Sequence, residues 1–296
     1  MAIAHQFAYQ KAASLDEAVE ALVQAGPEAR ILAGGTDLIA WLRDDAIHPD
    51  TLIDIKGVPG LDEISVDGDH LYLGPLVTFT DLLTSDVVAQ RLPILAEMAD
   101  TVASHGIRNR ATVVGNICSA VPSCDAGPTL LVLDASIGVL GPDGSRTVPI
   151  EEWFVGPRAT VLEHAEIVTG ISIPLPADPH GAIYLKLQRY EGEDLSQAGV
   201  TILVTADDTY RVAYGAVGPV PSRAHEIEQV LNGKPLSDDL IAEAVQLVPG
   251  AISPITDMRA TKEYRAHLCE VMLERGLPAA VSRRNGAGPA YGTRLI

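Results

Sequence analysis

Two stretches of this chain combine glycine with small polar side chains in a way that suits anion chemistry. The first is Ile31-Leu32-Ala33-Gly34-Gly35-Thr36-Asp37-Leu38. The second is Thr112-Val113-Val114-Gly115-Asn116, followed by Pro122-Ser123-Cys124-Asp125. Glycine lets a ligand approach the main chain closely, and the start of a helix favours negative charge. Two such stretches suit a long ligand gripped at two places, and a dinucleotide fits that description. Neither carries G-x-G-x-x-G or a P-loop lysine, so neither a Rossmann site nor an ATPase is supported. Taken singly, each also reads as ordinary turn and cap chemistry.

The elements that must position these loops can be read from periodicity. Ser14-Leu15-Asp16-Glu17 is a capping box, and apolar residues then recur at helical spacing up to Gly26-Pro27. Arg30 to Ala33 reads as a short strand, Asp37 to Arg43 as a helix and Thr51 to Ile55 as a second strand. That order brings the Gly34-Gly35 turn to the carboxyl edge of a small sheet, where α/β folds bind ligands. Ile64 to Leu73 is a hairpin around Asp67-Gly68. Helices are expected over 79–90 and 92–104, and a buried strand over 130–133. Pro174-Leu175-Pro176 with Asp178-Pro179 marks a linker.

Beyond it, 181–189, 198–205 and 210–217 read as antiparallel strands. Helices follow near 222–231, 237–248 and 261–275, and 282–296 reads as an extended tail that docks on a partner. Strands followed by helices indicate an α+β unit with its helices on one face of the sheet.

Bulk composition narrows the function. With 39 acidic and 21 basic residues the formal charge is −18, which disfavours nucleic acid or an anionic membrane as principal partner. Three cysteines, Cys118, Cys124 and Cys269, match no zinc or iron–sulfur spacing and read as packing thiols. The amino-terminal Met-Ala-Ile-Ala-His-Gln has no signal-peptide layout, and no apolar run is long enough to span a membrane; a cytoplasmic protein is expected. His105, His164 and His225 have no nucleophile signature beside them and read as structural or surface groups.

The motifs also carry a resemblance. Ala33-Gly34-Gly35-Thr36-Asp37-Leu38 and Ile107-Arg108-Asn109-Arg110-Ala111-Thr112-Val113-Val114-Gly115-Asn116-Ile117 resemble the FAD-binding (medium) subunits of molybdenum hydroxylases. Xanthine dehydrogenase and aerobic carbon monoxide dehydrogenase belong to that family. The likeness continues through Gly156-Pro157-Arg158, Glu166-Ile167-Val168, Ile171-Ser172-Ile173-Pro174 and Leu185-Lys186-Leu187-Gln188-Arg189. It reappears at Ala213 to Pro219, Asp257 to Thr261 and Tyr264 to Leu268. The second motif departs from the family at Val114, where a glycine is usual, and Val121 replaces a common serine.

The resemblance implies an α+β fold: a two-part FAD-binding region of the vanillyl-alcohol-oxidase type over 1–57 and 58–176, then a 177–281 domain and the 282–296 tail. It implies FAD held by Arg30, Ile31, Leu32, Ala33, Gly34, Gly35, Thr36, Asp37 and Leu38 on one side. Val102, Ala111, Thr112, Gly115, Asn116 and Cys124 would face the same cofactor. Asp125 would bind sugar or ribityl hydroxyls, Val168 would pass backbone groups under the flavin ring, and Lys186 would reach the ring's carbonyl region. Tyr190 and Leu195 would lie near the ring's exposed face.

Molybdopterin and [2Fe–2S] clusters are expected only on partners, a large and a small subunit, and no metal or catalytic residue on this chain. Electrons would leave to NAD, a quinone, oxygen or another carrier. The sequence also leaves open a stand-alone FAD oxidoreductase, for which no acid–base cluster is found, and a non-catalytic scaffold with purely structural loops.

Overall fold

In the computed structural model, residues 3–190 and 193–296 are described. The reading of the first two residues as lacking a signal layout lies outside them. The amino-terminal part is a three-stranded parallel sheet with helices. It comprises β1 (Ala8–Lys11), α1 (Leu15–Ala25), β2 (Ala29–Leu32), α2 (Thr36–Arg43) and β3 (Thr51–Asp54), in sheet order β1-β3-β2. Sequence patterning missed β1, whose four residues are all exposed and show no apolar alternation. Ser14 caps α1 by accepting from the Glu17 N–H, while the Glu17 carboxylate accepts from the Ala13 N–H, one residue before the cap. Ala18, Val19 and Leu22 of α1 pack with Ile53 and Ile55 and with Ile167 of the next sheet.

The second part opens with the hairpin β4 (Ile64–Asp67) and β5 (His70–Leu73). The chain then enters a helical layer: α3 (Phe79–Thr84), α4 (Asp86–Arg91), α5 (Pro93–Asp100), α6 (His105–Arg108), α7 (Val113–Ser119) and α8 (Ala126–Val132). The stretch read as one helix over 79–90 is two, because Ser85 takes extended backbone angles and its hydroxyl caps α4. The expected 92–104 helix stops at Asp100. After the helices come β6 (Ser136–Gly141), β7 (Gly144–Pro149), a short ribbon of β8 (Phe154–Gly156) and β9 (Ala159–Thr160), and β10 (Ile167–Pro174). The larger sheet runs β4-β5-β10-β6-β7, antiparallel throughout.

The buried strand expected at Leu130–Leu133 is instead the end of α8 and its C-cap Leu133, and all seven residues of α8 are buried. A short helix covered on every side shows an unbroken apolar run, which periodicity cannot separate from a buried strand. Close contacts explain how it fits. A Cβ on Gly127 would sit 2.6 Å from Cγ of Pro221, and one on Gly215 would sit 2.8 Å from Cγ of Pro128.

The last part is a four-stranded antiparallel sheet, β11 (Gly181–Leu187), β12 (Ala198–Val204), β13 (Tyr210–Gly215) and β14 (Ser222–Arg223). It is followed by α9 (His225–Leu231), α10 (Asp238–Gln246), α11 (Val248–Ala251) and α12 (Lys262–Arg284). Alternation along the strands divides the sheet between two cores. Ile183, Leu185, Val200, Ile202 and Val212 join Leu273 and Leu277 of α12, whereas Ala182, Tyr184, Leu203 and Ala213 join the core that holds α5 and α8. The four later helices therefore share one face, as expected, and the sheet's other face is the floor of the preceding region.

α12 continues through Pro278 to Arg284, nine residues past the expected end at Arg275. The tail after it folds back on this chain's own α5 and α12. No helix among the described residues is long and apolar enough to cross a membrane.

Candidate cofactor site

β2 ends at Leu32, and the chain turns through Gly34 and Gly35 into α2. Gly35 is the N-cap of α2 at φ +78°, a left-handed conformation that suits glycine. Having no side chain, it leaves the first turn of α2 without the cap hydrogen bond that Ser14 supplies to α1. Those first-turn N–H groups, with the positive end of the helix dipole, form a donor set for an anion.

The second loop lies against the first. A Cβ on Gly34 would fall 2.0 Å from the Arg110 carbonyl oxygen and 3.2 Å from the Ala111 Cα, so only glycine permits this approach. A side-chain bond spans the same junction: the Ser119 hydroxyl of α7 donates to Asp37 of α2 at 2.5 Å. The stretches 31–38 and 110–119 thus pack against each other.

Within the second loop most polar groups hold one another. Thr112 caps α7, its hydroxyl oxygen accepting the Gly115 N–H at 2.9 Å. Asn116 Oδ1 accepts from the Cys124 thiol at 3.0 Å and the Ala126 N–H at 3.1 Å, tying the 121–126 turn to α7. Val114 points into the core, as does Val113. The departure from glycine at Val114 is therefore absorbed inward. Val121 packs partly buried on the same core.

Asp125 is nearly buried at the start of α8. It accepts from the Tyr184 hydroxyl at 2.9 Å and from the Lys186 ammonium at 3.0 and 3.1 Å. Lys186 also donates to the Thr101 carbonyl at 3.0 Å, and its side chain is 2 % exposed. Burial pushes the Tyr184 hydroxyl well above its ordinary range, helped by the Asp125 charge, so it stays a neutral donor. Lys186 and Asp125 are thus a desolvated ion pair joining β11 to α8, with Val102 buried next to Thr101.

Val168 is buried on β10 beside Val139, where a bulge separates it from Gly170. Tyr72 covers that bulge, donating to the Thr169 carbonyl at 2.6 Å. The Arg30 side chain turns onto its own loop, its guanidinium donating to the Pro27 and Ala29 carbonyls. Burial raises the Cys118 thiol to about 12 and the Cys124 thiol further, which marks both as packing groups. Among the described residues no three His, Cys, Asp or Glu side chains converge to hold a metal ion.

Sequence reasoning missed Tyr184, Ser119 as partner of Asp37, and Trp41. Tyr184 alternates toward the earlier core on β11, a signal the strand pattern contained. The Trp41 contact, with the Arg158 guanidinium 5.2 Å from its ring centre, has no sequence signature.

Residues 5–176 match the family described as the FAD binding domain in molybdopterin dehydrogenase, and residues 182–280 match the CO dehydrogenase flavoprotein C-terminal domain. The chain belongs to the FAD-binding medium subunits of the carbon monoxide dehydrogenase and xanthine dehydrogenase family. It is 32 % identical to the carbon monoxide dehydrogenase medium chain of Hydrogenophaga pseudoflava, covering 94 % of this chain and 98 % of that one. It is 31 % identical to the xanthine dehydrogenase FAD-binding subunit of Escherichia coli O157:H7, covering 94 % and 97 %.

Among solved structures, carbon monoxide dehydrogenase from Hydrogenophaga pseudoflava superposes with a TM-score of 0.92 at 33 % identity, over 96 % of this chain and 99 % of that one. Quinoline 2-oxidoreductase from Pseudomonas putida 86 gives 0.89 at 27 %, over 97 % and 99 %. The medium-subunit fold thus spans nearly the whole chain, with an FAD-binding region in front and a flavoprotein C-terminal region behind.

Proposed function

We propose that this chain holds FAD between α2 and α7. In a multi-subunit molybdenum hydroxylase it would relay electrons from a partner's [2Fe–2S] clusters to an external acceptor. The observation that carries the reading is the seating of Gly34 on the Arg110 carbonyl, which brings an uncapped helix start against the α7 loop. The donor chemistry fits the cofactor. The first-turn N–H groups of α2 would receive the diphosphate, supported by the loop 31–35 on one side and by 111–116 on the other. The Asn116 carbonyl is already committed, which leaves its NH2 end to a ligand. Asp125 retains acceptor capacity beyond its bonds to Tyr184 and Lys186, enough for a sugar or ribityl hydroxyl.

Bound FAD would supply the redox chemistry, accepting and releasing two electrons. What this chain adds is position and field. Tyr184 and Lys186 fix Asp125 at the mouth of α8. The Lys186 ammonium, held by Asp125 and the Thr101 carbonyl, would reach the ring's carbonyl region. Val168 would pass backbone groups under the ring, and Val102 would face the same cofactor.

The molybdopterin would sit on a large subunit and the clusters on a small one. The resemblance leaves the acceptor among NAD, a quinone, oxygen or another carrier, in the cytoplasm. Purified chain should take up FAD and show the visible flavin bands, and Gly34→Val should remove them. Native chain that shows no bands after incubation with FAD overturns the proposal.

A further inference from the structure

α8 belongs to the front part of the chain, yet the back sheet holds it. Each of that sheet's four strands places a polar side chain on the helix or on a residue at its ends. From β11, Tyr184 and Lys186 bond Asp125 at the N-cap. From β12, the Thr201 hydroxyl meets the Thr129 hydroxyl at 3.1 Å, and both residues are fully buried. From β13, Arg211 donates to the Val132 carbonyl at 3.1 Å and pairs with Asp134 at 2.7 Å. From β14, Arg223 donates to the other Asp134 oxygen at 2.7 Å. The front part adds the bond from the Ala126 N–H to Asn116.

The charges suit the helix they hold. A carboxylate stands at its amino end and two guanidinium groups at its carboxyl end, each complementing the helix dipole. β11 is itself pinned. The Tyr184 N–H donates at 2.9 Å to the buried carboxylate of Glu97 on α5, which Arg283 of α12 grips through two bonds at 2.7 and 2.9 Å. The Gly292 N–H completes this Glu97 anchor at 2.8 Å. All seven residues of α8 are buried, and Pro221 closes on Gly127 while Pro128 closes on Gly215, which leaves the helix little room to bend. A seven-residue helix is about 10 Å long. So short a rod, packed on every side, moves as one piece, and a shift at its carboxyl end is carried to Asp125.

We propose that Arg211 and Asp134 are positioning residues for the cofactor, acting through α8 to set where the Asp125 carboxylate stands. The inference rests on the reading of Asp125 as a partner for the sugar or ribityl hydroxyls of FAD. Arg211 lies in the second family match and Asp125 in the first, so the back part tunes the grip on a cofactor held by the front part. The two ends of the helix have separate partners, Tyr184 and Lys186 at Asp125 and the two arginines at Asp134.

The test is a double-mutant cycle on the full chain, read as the dissociation constant of FAD from the quenching of flavin fluorescence. Arg211→Met should weaken FAD binding about fivefold. Asp134→Asn keeps a side chain that tolerates the left-handed φ of +50°, and should act in the same direction but more gently. Asp125→Asn should weaken binding more than either. In the Asp125→Asn background, adding Arg211→Met or Asp134→Asn should cost little more. Changes at sites this far apart with separate partners ordinarily multiply, so the missing factor reports coupling through the helix. Thr261→Ala, which removes the side-chain cap of α12, is the control for plain loss of stability: it should lower the denaturant midpoint and leave FAD affinity unchanged.

Losses that multiply in the double variants would overturn the positioning role alone. So would native FAD affinity in both single variants, or a loss in Thr261→Ala as large as that in Arg211→Met. Asp125→Asn protein that binds FAD as tightly as the native chain would overturn the assignment of Asp125, and the positioning role with it.

Discussion

The two loops that meet at Gly34 are made differently. The 33–38 loop is poor in side-chain partners: Gly35 leaves the start of α2 uncapped, and the main chain itself supplies the donors. The 112–126 loop is rich in them, and spends them on itself through Thr112 with Gly115, Asn116 with Cys124 and Ala126, and Asp125 with Tyr184 and Lys186. One loop leaves its helix start without a side-chain partner, and the other satisfies its polar groups internally and packs against the first. Polar content alone is therefore a poor guide to which loop grips an anion, because satisfied groups have little left to offer.

Changes at the contact between the loops should have the largest effect. Gly34→Val forces a side chain into the Arg110 carbonyl, and FAD affinity should fall by orders of magnitude with a lowered Tm, read by flavin titration and thermal melts. Lys186→Met leaves the buried Asp125 charge without its cation, and removing one partner of such a pair costs about 3–5 kcal/mol. A denaturant titration should report this loss even in FAD-free protein, which separates the second loop's structural role from ligand contact.

Thr112→Ala removes a helix cap worth about 1 kcal/mol and should weaken the second loop while leaving the α2 donors in place. Its effect on FAD affinity should be smaller than that of Gly34→Val; an equal loss would erase the distinction between the loops. The smallest effect should be at Cys118 and Cys124, whose raised thiols should resist iodoacetamide at pH 8 in the folded protein and react once it is unfolded.

Away from the two loops, Asp257 offers a pH check. Burial pushes it up, but hydrogen bonds from the Arg259 and Ala260 N–H groups and from Arg265 outweigh that and hold it at about 2. The unfolded chain takes up that proton near the ordinary carboxylate value of about 4. Its stabilisation is therefore full above that value and is lost as pH falls toward 2. Asp257→Asn should flatten the acid limb of the stability profile.

Much of this was legible in the sequence where the signal is local. The α1 cap, the 64–73 hairpin, the strands at 181–187 and 198–204 and the glycine turn all follow from neighbouring residues. What failed depended on distant surroundings. α8 looked like a strand because burial on every side erased its period, and β1 was silent because it is exposed. Site residues read from the family motif fell into two groups. Gly34 and Asp37 do meet the second loop, at Arg110–Ala111 and at Ser119, whereas the Arg30 side chain turns onto its own loop. Tyr184 stayed hidden because its importance comes from meeting Asp125 across 59 positions of sequence.

The Glu97 anchor has a consequence for how the polypeptide matures. Among the described residues, the buried Glu97 carboxylate of α5 receives its hydrogen bonds from residues 184, 283 and 292. As the polypeptide leaves the ribosome, the front half emerges with an acid inside it that nothing yet neutralises, and closure waits for Arg283 and Gly292. Cutting between the two family segments should therefore yield a front piece that stays loose and prone to aggregate, and that tightens only when the back piece is co-expressed.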